Sequence, residues 1–182
     1  MLYDIFMLIV ETAATVVATV LLVRFWMQVT RVRPSPPIAN FIFVLSDWLV
    51  KPLRKVIPGS GGYDWASLIA AYLVALALTA LSLAGSGFQF SVGAVFLLAL
   101  VKLVHWIIYG LMGLLLVDVV LSWINPHAPM APLIRALTDP ILRPIRRFMP
   151  SLGGIDLSPL VAFVLLRIVM YAFDRGLVQM LS

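Results

Sequence analysis

Few side chains in this sequence are equipped for chemistry, and their positions make them conspicuous. Glu11, Asp118 and Arg167 each interrupt a tract of apolar residues. An ionisable group at bilayer depth is costly to desolvate, so it points to an ion or proton pathway or to a charge pair that closes a helix bundle. Arg167 falls about 15 Å into its tract, and Glu11 about 12 Å into its own from the opposite side, at a helical rise of about 1.5 Å per residue. Those depths nearly coincide, so Glu11–Arg167 is the expected intramembrane pair. Arg24–Asp118 and Lys102–Asp174 are matched on the same ground near the two faces. Two further carboxylates, Asp64 and Asp156, each close a Gly-Gly-x-Asp sequence just before an apolar tract. Gly62 with Asp64, and Gly154 with Asp156, Ser158 and Pro159, read as a tight turn followed by a helix cap. The alternative is a cation or substrate site built from the two related aspartates. His105 and His127 would stand about 33 Å apart on a helix, too far for one metal ion. The sequence contains no serine–histidine–carboxylate set, zinc spacing, phosphate loop or dinucleotide fingerprint, so neither an enzyme nor a cofactor is expected.

The elements that must position these groups follow from composition. The 182 residues are 63% hydrophobic and only 12% charged, with no cysteine, and the mean hydropathy is +1.08. A soluble domain carries about twice that share of charge, so a water-facing globule, a disordered chain and a disulfide-stapled secreted domain are excluded. A bilayer core of about 30 Å takes about 20 apolar residues in a helix. Residues 3–23, 65–84, roughly 100–122 and 157–177 meet that length, giving an all-α membrane protein of four crossings. Residues 92–101 are apolar too, and are interfacial, re-entrant or a protruding part of the third helix. Asp4 and Glu11 stand where a cleavable signal would be basic, so the first tract is expected to remain as a span. Lysine and arginine crowd the connections 24–64 and 123–156 and are missing from GSGFQFS between spans two and three. Both long loops are therefore expected on the cytoplasmic side of a bacterial inner membrane, with both termini outside.

The chain repeats itself. KPLRKVIP at 51–58 pairs with RPIRRFMP at 143–150, an offset of 92 that also carries GGYDWASL onto GGIDLSPL and Ser46-Asp47 onto Thr138-Asp139. Upstream, Trp26 matches Trp123, so the first loop is five residues longer. The copies divide as 1–87 and 88–182. Each has two crossings, which predicts a parallel repeat about an axis along the membrane normal. Within each loop, apolar residues recur at helical spacing: Ile38, Phe41, Ile42, Leu45, Trp48, Leu49, Leu53 and Val56 in the first, Met130, Leu133, Ile134, Leu137, Ile141, Ile145 and Phe148 in the second. Basic residues fall opposite, predicting an amphipathic interfacial helix in each copy. Asp139-Pro140 reads as a cap restarting the second of these helices, with Pro144 kinking or ending it. Lys51, Arg54, Lys55, Arg143, Arg146 and Arg147 form the expected basic cytoplasmic face. It would meet anionic lipid head groups, membrane-protein partners or further copies of the chain; no nucleic acid is expected. Small residues in span two (Ala70, Ala71, Ala75, Ala77) and span three (Gly110, Gly113) would let helices approach closely.

SWINPHAP, TDPILRPIRRFMP and GGIDLSPLVAF together resemble the YggT family of small integral membrane proteins, also called the YlmG family. The resemblance covers essentially the whole chain, and its motif positions are Trp123, Pro140, Pro144, Arg146, Pro150, Gly154, Asp156, Ser158 and Pro159. The first copy is looser, with Tyr63-Asp64-Trp65-Ala66-Ser67 where the second has Ile-Asp-Leu-Ser-Pro. The resemblance implies a cytoplasmic or thylakoid membrane protein without established enzymatic activity. It also implies links to osmotic and potassium homeostasis, to cell division or nucleoid organisation, and in chloroplasts to assembly of b-type cytochromes. The function expected on these grounds is a non-enzymatic organising or assembly factor for membrane complexes. The alternative is a cation channel or transporter subunit using Glu11, Asp118, Arg167 and the Asp64/Asp156 pair.

Overall fold

A computed structural model describes residues 1–57, 59, 61–85, 91–148 and 156–181. Among them run six helices: α1 (Leu2–Val29), α2 (Pro36–Val56), α3 (Trp65–Ala84), α4 (Val92–Ile124), α5 (Ala131–Phe148) and α6 (Ser158–Leu181). Three of these, α1, α3 and α4, are long and apolar enough to cross a membrane; α6, which carries Arg167, Asp174 and Arg175, is not among them. Large apolar side chains point outward along the helices, among them Ile5, Leu8, Ile9 and Val16 of α1 and Leu160, Val164 and Ile168 of α6. That exposure is the reverse of a soluble fold and suits a lipid solvent.

The chain forms two compact units, Met1–Ile107 and Ile108–Ser182. In the first, α1 lies along α3, and α2 packs on both. Ala70, Ala71 and Ala75 of α3 are fully buried, the first two in one cluster with Leu21 of α1 and Val50 of α2. With only a methyl group at each of these positions, the helix backbones draw close and gain packing that apolar solvent cannot provide. Leu103, from the first half of α4, completes this core. In the second unit Leu115, Leu142 and Ala162 form the centre, one residue each from α4, α5 and α6, with Ile141, Ile145 and Leu166 around them.

Several expectations change. α4 is one continuous helix of 33 residues, about 50 Å at 1.5 Å per residue, so 92–101 belongs to the same helix as 100–122. Ala77 is exposed, and a methyl group placed on Gly110 or Gly113 would meet nothing within 4 Å, so none of the three marks a close helix approach. α5 neither restarts at Asp139-Pro140 nor breaks at Pro144, since both prolines lie inside it. Proline removes one N–H and frees the carbonyl four residues earlier. Here Pro140 and Pro144 are both exposed, so the freed carbonyls of Ala136 and Pro140 face outward and need no protein donor. Pro52 stands in α2 in the same way, also exposed.

α2 has three faces. Ile42, Ser46 and Val50 are buried against the unit. At 100° per residue Phe41, Val44 and Trp48 form an exposed apolar strip on the opposite side, with Lys51 and Arg54 between the two.

Candidate functional site

The strongest polar construction lies where α1 ends and α3 begins. The two turn glycines before α3, Gly61 and Gly62, have φ of +68° and +81°, a region closed to most side chains. Their turn delivers Asp64 to the head of α3, where its carboxylate accepts from the Ser67 backbone N–H at 3.4 Å and from the Ser67 hydroxyl at 2.6 Å. The expected cap is therefore present. Arg54, one turn from the end of α2, reaches the same carboxylate through two nitrogens, Nη2 at 2.6 Å and Nε at 3.3 Å. This bidentate grip is the strong form of an arginine–carboxylate bond, and it ties the interhelical turn shut.

Arg24 of α1 adds a second layer. Its side chain is only 7% exposed, and its Nη1 donates to the Ser46 hydroxyl and, at 2.7 Å, to Asp47. Its Nε stands 3.4 Å from Asp64, and the guanidinium lies over the Phe43 ring, 4.9 Å from its centre. Lys51 holds the other oxygen of Asp47 at 3.0 Å. The hydrogen bond from Arg24, aided by Lys51 and partly opposed by burial, keeps the Asp47 carboxyl below its usual value. At Asp64 burial is the largest influence and acts upward. Hydrogen bonds from Arg54 and Ser67 and the charges of Arg54 and Arg24 outweigh it, and the group stays below the ordinary aspartate value.

The second unit carries the same clasp at the offset of 92. Arg146 of α5 bonds Asp156 through Nη2 at 2.8 Å and Nε at 2.9 Å, and Asp156 accepts from the backbone N–H of Ser158 at 2.9 Å. Burial pushes this carboxyl up, but hydrogen bonding from Ser158 and Arg146 and the Arg146 charge bring it net below its usual value. Arg146 also lies 3.6 Å from Asp139, which Arg143 approaches to 3.1 Å. Pro159 lies in the first turn of α6. Gly154 and Pro150 lie outside the described residues.

Each of the three expected depth-matched pairs takes one residue from each unit. Within the first unit Glu11 is bridged by Lys102 at 3.1 Å, and Arg167 is exposed on α6. Arg24 is taken by Asp47 and Asp64, and Asp118, also buried, accepts from the Thr138 hydroxyl at 3.0 Å. Of the basic face, Arg54 and Arg146 turn to the clasp, Lys51 and Arg143 pair along their own helices, and Lys55 and Arg147 are exposed. Among the described residues no group of three or more histidine or acidic side chains could hold a metal ion.

The central role of Arg24 was not read from the sequence. The clasp itself could have been: the offset that carries Arg54 onto Arg146 also carries Asp64 onto Asp156, so a ten-residue Arg–Asp spacing stands in both copies. That doubled spacing lies within the two stretches, residues 3–84 and 97–177, that match the family model CCB3/YggT. The chain belongs to the CCB3/YggT family. Two bacterial relatives are similar to it over most of their length. The uncharacterised protein YggT of Escherichia coli K12 is 32% identical over 96% of this chain and 89% of its own. An uncharacterised protein of Pseudomonas aeruginosa is 35% identical over 88% of this chain and 84% of its own. The chloroplastic YlmG homolog protein 2 of Arabidopsis thaliana is 47% identical over a shorter stretch, 29% of this chain and 22% of its own. No solved structure matches.

Proposed function

We propose that this CCB3/YggT-family chain is a non-enzymatic organising or assembly factor for membrane complexes, seated in a bacterial cytoplasmic membrane by four crossings. On this reading α6 is the fourth crossing, loops 24–64 and 123–156 face the cytoplasm, and both termini lie outside. The two copies, 1–87 and 88–182, each present an interfacial amphipathic helix. The observation that carries the proposal is the doubled clasp. Arg54–Asp64 and Arg146–Asp156 fasten the end of a basic helix to the head of the following apolar one, at equivalent positions. A clasp of this kind makes a loop into a fixed surface, which is what a scaffold needs and what a simple topogenic loop does not. Trp65, packed 5.9 Å from Tyr63 and 6.4 Å from Phe25 between ring centres, supports an interfacial depth for the clasp, where aromatic rings gather. The partners are membrane proteins, or further copies of the chain, with anionic lipid beneath the basic helices. A link to osmotic or ion homeostasis, or to division, rests on the family resemblance.

The test is in-cell crosslinking followed by recovery of the full chain, in wild type and in a variant with Lys55, Arg143 and Arg147 changed to glutamine. Recovery of a defined membrane-protein partner that the variant loses is the expected result. No stable partner, together with an unchanged growth phenotype in the variant, would overturn the proposal. The channel alternative has no comparable support, because the acids it would use, Glu11, Asp118, Asp64 and Asp156, are engaged by Lys102, Thr138, Arg54 and Arg146.

A further inference from the structure

The end of α1 is built unusually. Val32 N–H bonds to the Met27 carbonyl at 2.9 Å and Arg31 N–H to that of Gln28 at 3.2 Å, the paired bonds of a Schellman stop. The residue that must turn left-handed at such a stop is usually glycine. Here it is Arg31, with φ of +56°, the one non-glycine residue with positive φ among those described. A cationic side chain therefore occupies a position where local backbone energetics favour none.

Arg31 lines an open recess of about 660 Å³ in the first unit, together with Arg24, Arg33, Lys51 and Arg54 and the carboxylates of Asp47 and Asp64. Five cations meet two anions there, and both anions are already engaged: Asp47 by Arg24 and Lys51, Asp64 by Arg54 and Arg24. The surplus positive charge has no internal anion to neutralise it. Arg31 and Arg33 have no ion-pair partner among the described residues. The buried Arg24 still has a donor to satisfy, because its Nε makes no hydrogen bond there. The planar arginine fork can hold two oxygens of a tetrahedral phosphate at once, where lysine offers a single point charge. The volume is in the range of small-molecule sites.

We propose that this recess binds a phosphate group, of the kind carried by an anionic phospholipid head group. The exposed apolar strip Phe41–Val44–Trp48 of α2, beside the basic face that lines the recess, offers acyl chains a surface that a free phosphate would not use. The second copy lacks this site's central residue, since the position equivalent to Arg24 is Leu121. The site is thus a property of the first copy, and it stands whether or not the chain assembles membrane complexes.

The test uses the full chain in a neutral maltoside detergent, followed by tryptophan fluorescence and native mass spectrometry. Short-chain phosphatidylglycerol, the matching phosphatidylcholine and inorganic phosphate are titrated separately. Wild type should bind phosphatidylglycerol saturably and in a salt-sensitive way, and phosphatidylcholine far more weakly. The variant Arg31→Gly with Arg33→Ala should weaken binding on the order of tenfold or more. Its melting temperature should hold or rise, because glycine relieves the left-handed turn. Arg175→Ala, on α6 of the second unit, should leave binding unchanged. Saturable binding of inorganic phosphate alone would keep the site and assign it to a free phosphate; competition between phosphate and lipid would assign it to the head group. Failure of both anions to saturate, or equal affinity in the Arg31/Arg33 variant, would overturn the proposal. Loss of the protein partner without loss of lipid binding would separate failure of the scaffold reading from failure of this one.

Discussion

Asp64 and Asp156 hold equivalent positions, yet their surroundings set their worth apart. The Asp64 side chain is 2% exposed and lies against two arginines, one of them buried; that of Asp156 is 46% exposed against one. Removing one member of a buried ion network strands the other charge, at about 3–5 kcal/mol. An exposed pair contributes about 1 kcal/mol or less. Asp64→Asn should therefore lower the melting temperature in neutral detergent sharply, and Asp156→Asn only slightly; equal effects would contradict the burial difference. The direction of the pH response follows from the same groups. Asp47, Asp64 and Asp156 all titrate below the ordinary value of 3.8 in the folded chain. Their stabilisation is fully present above that value and is lost as pH falls through the lowered ones. Thermal unfolding should be flat in these terms from neutral pH down to about 5 and weaken below about 4. In Asp64→Asn that acid-dependent loss should be smaller, because part of it has already been taken.

Among the elements, α3 makes the firmest demand on its sequence. Ala70, Ala71 and Ala75 are fully buried against the first unit's core, while Ala77 faces outward. Ala71→Leu should overpack the α1–α3 seam, at about 1–3 kcal/mol, and Ala77→Leu should be nearly silent. Thermal unfolding of the two variants side by side checks this, and a silent Ala71→Leu would mean that the seam is loose. Apolar tracts and the 92-residue offset made the six helices legible before any coordinates, because helix length and periodicity are local properties. Proline misled at α5. A local rule predicts a break, but it takes no account of whether the freed carbonyls face protein or the exposed side. Ion pairing is less legible: tract positions give height along the membrane normal, while which helices are neighbours is decided by packing, as where Lys102 of α4 meets Glu11.

At the scale of the whole molecule, the four-crossing proposal makes α6 decisive. Single cysteines can be introduced without background, since the chain has none. Cysteines at Ser35 and Asn125 should react with a membrane-impermeant reagent only when the cytoplasmic face is open. A reporter at the C-terminus should respond from the outer face. A C-terminal reporter on the cytoplasmic side would leave α6 short of a crossing and reverse that part of the topology.

The two copies place buried polar groups of opposite charge on their leading helices. In the first, Arg24 of α1 reaches Ser46; in the second, Asp118 of α4 reaches Thr138, the residue equivalent to Ser46. By the Trp26–Trp123 alignment the counterpart of Asp118 is Leu21, fully buried one turn before Arg24. The halves are therefore no longer spare parts for each other. A tandem of two second halves would keep the Arg146–Asp156 clasp in each but have no counterpart of the buried Arg24, and a tandem of two first halves would replace the Asp118–Thr138 bond with a second buried arginine. Cutting the chain into its halves would therefore not return two working copies of one protein, but two different ones.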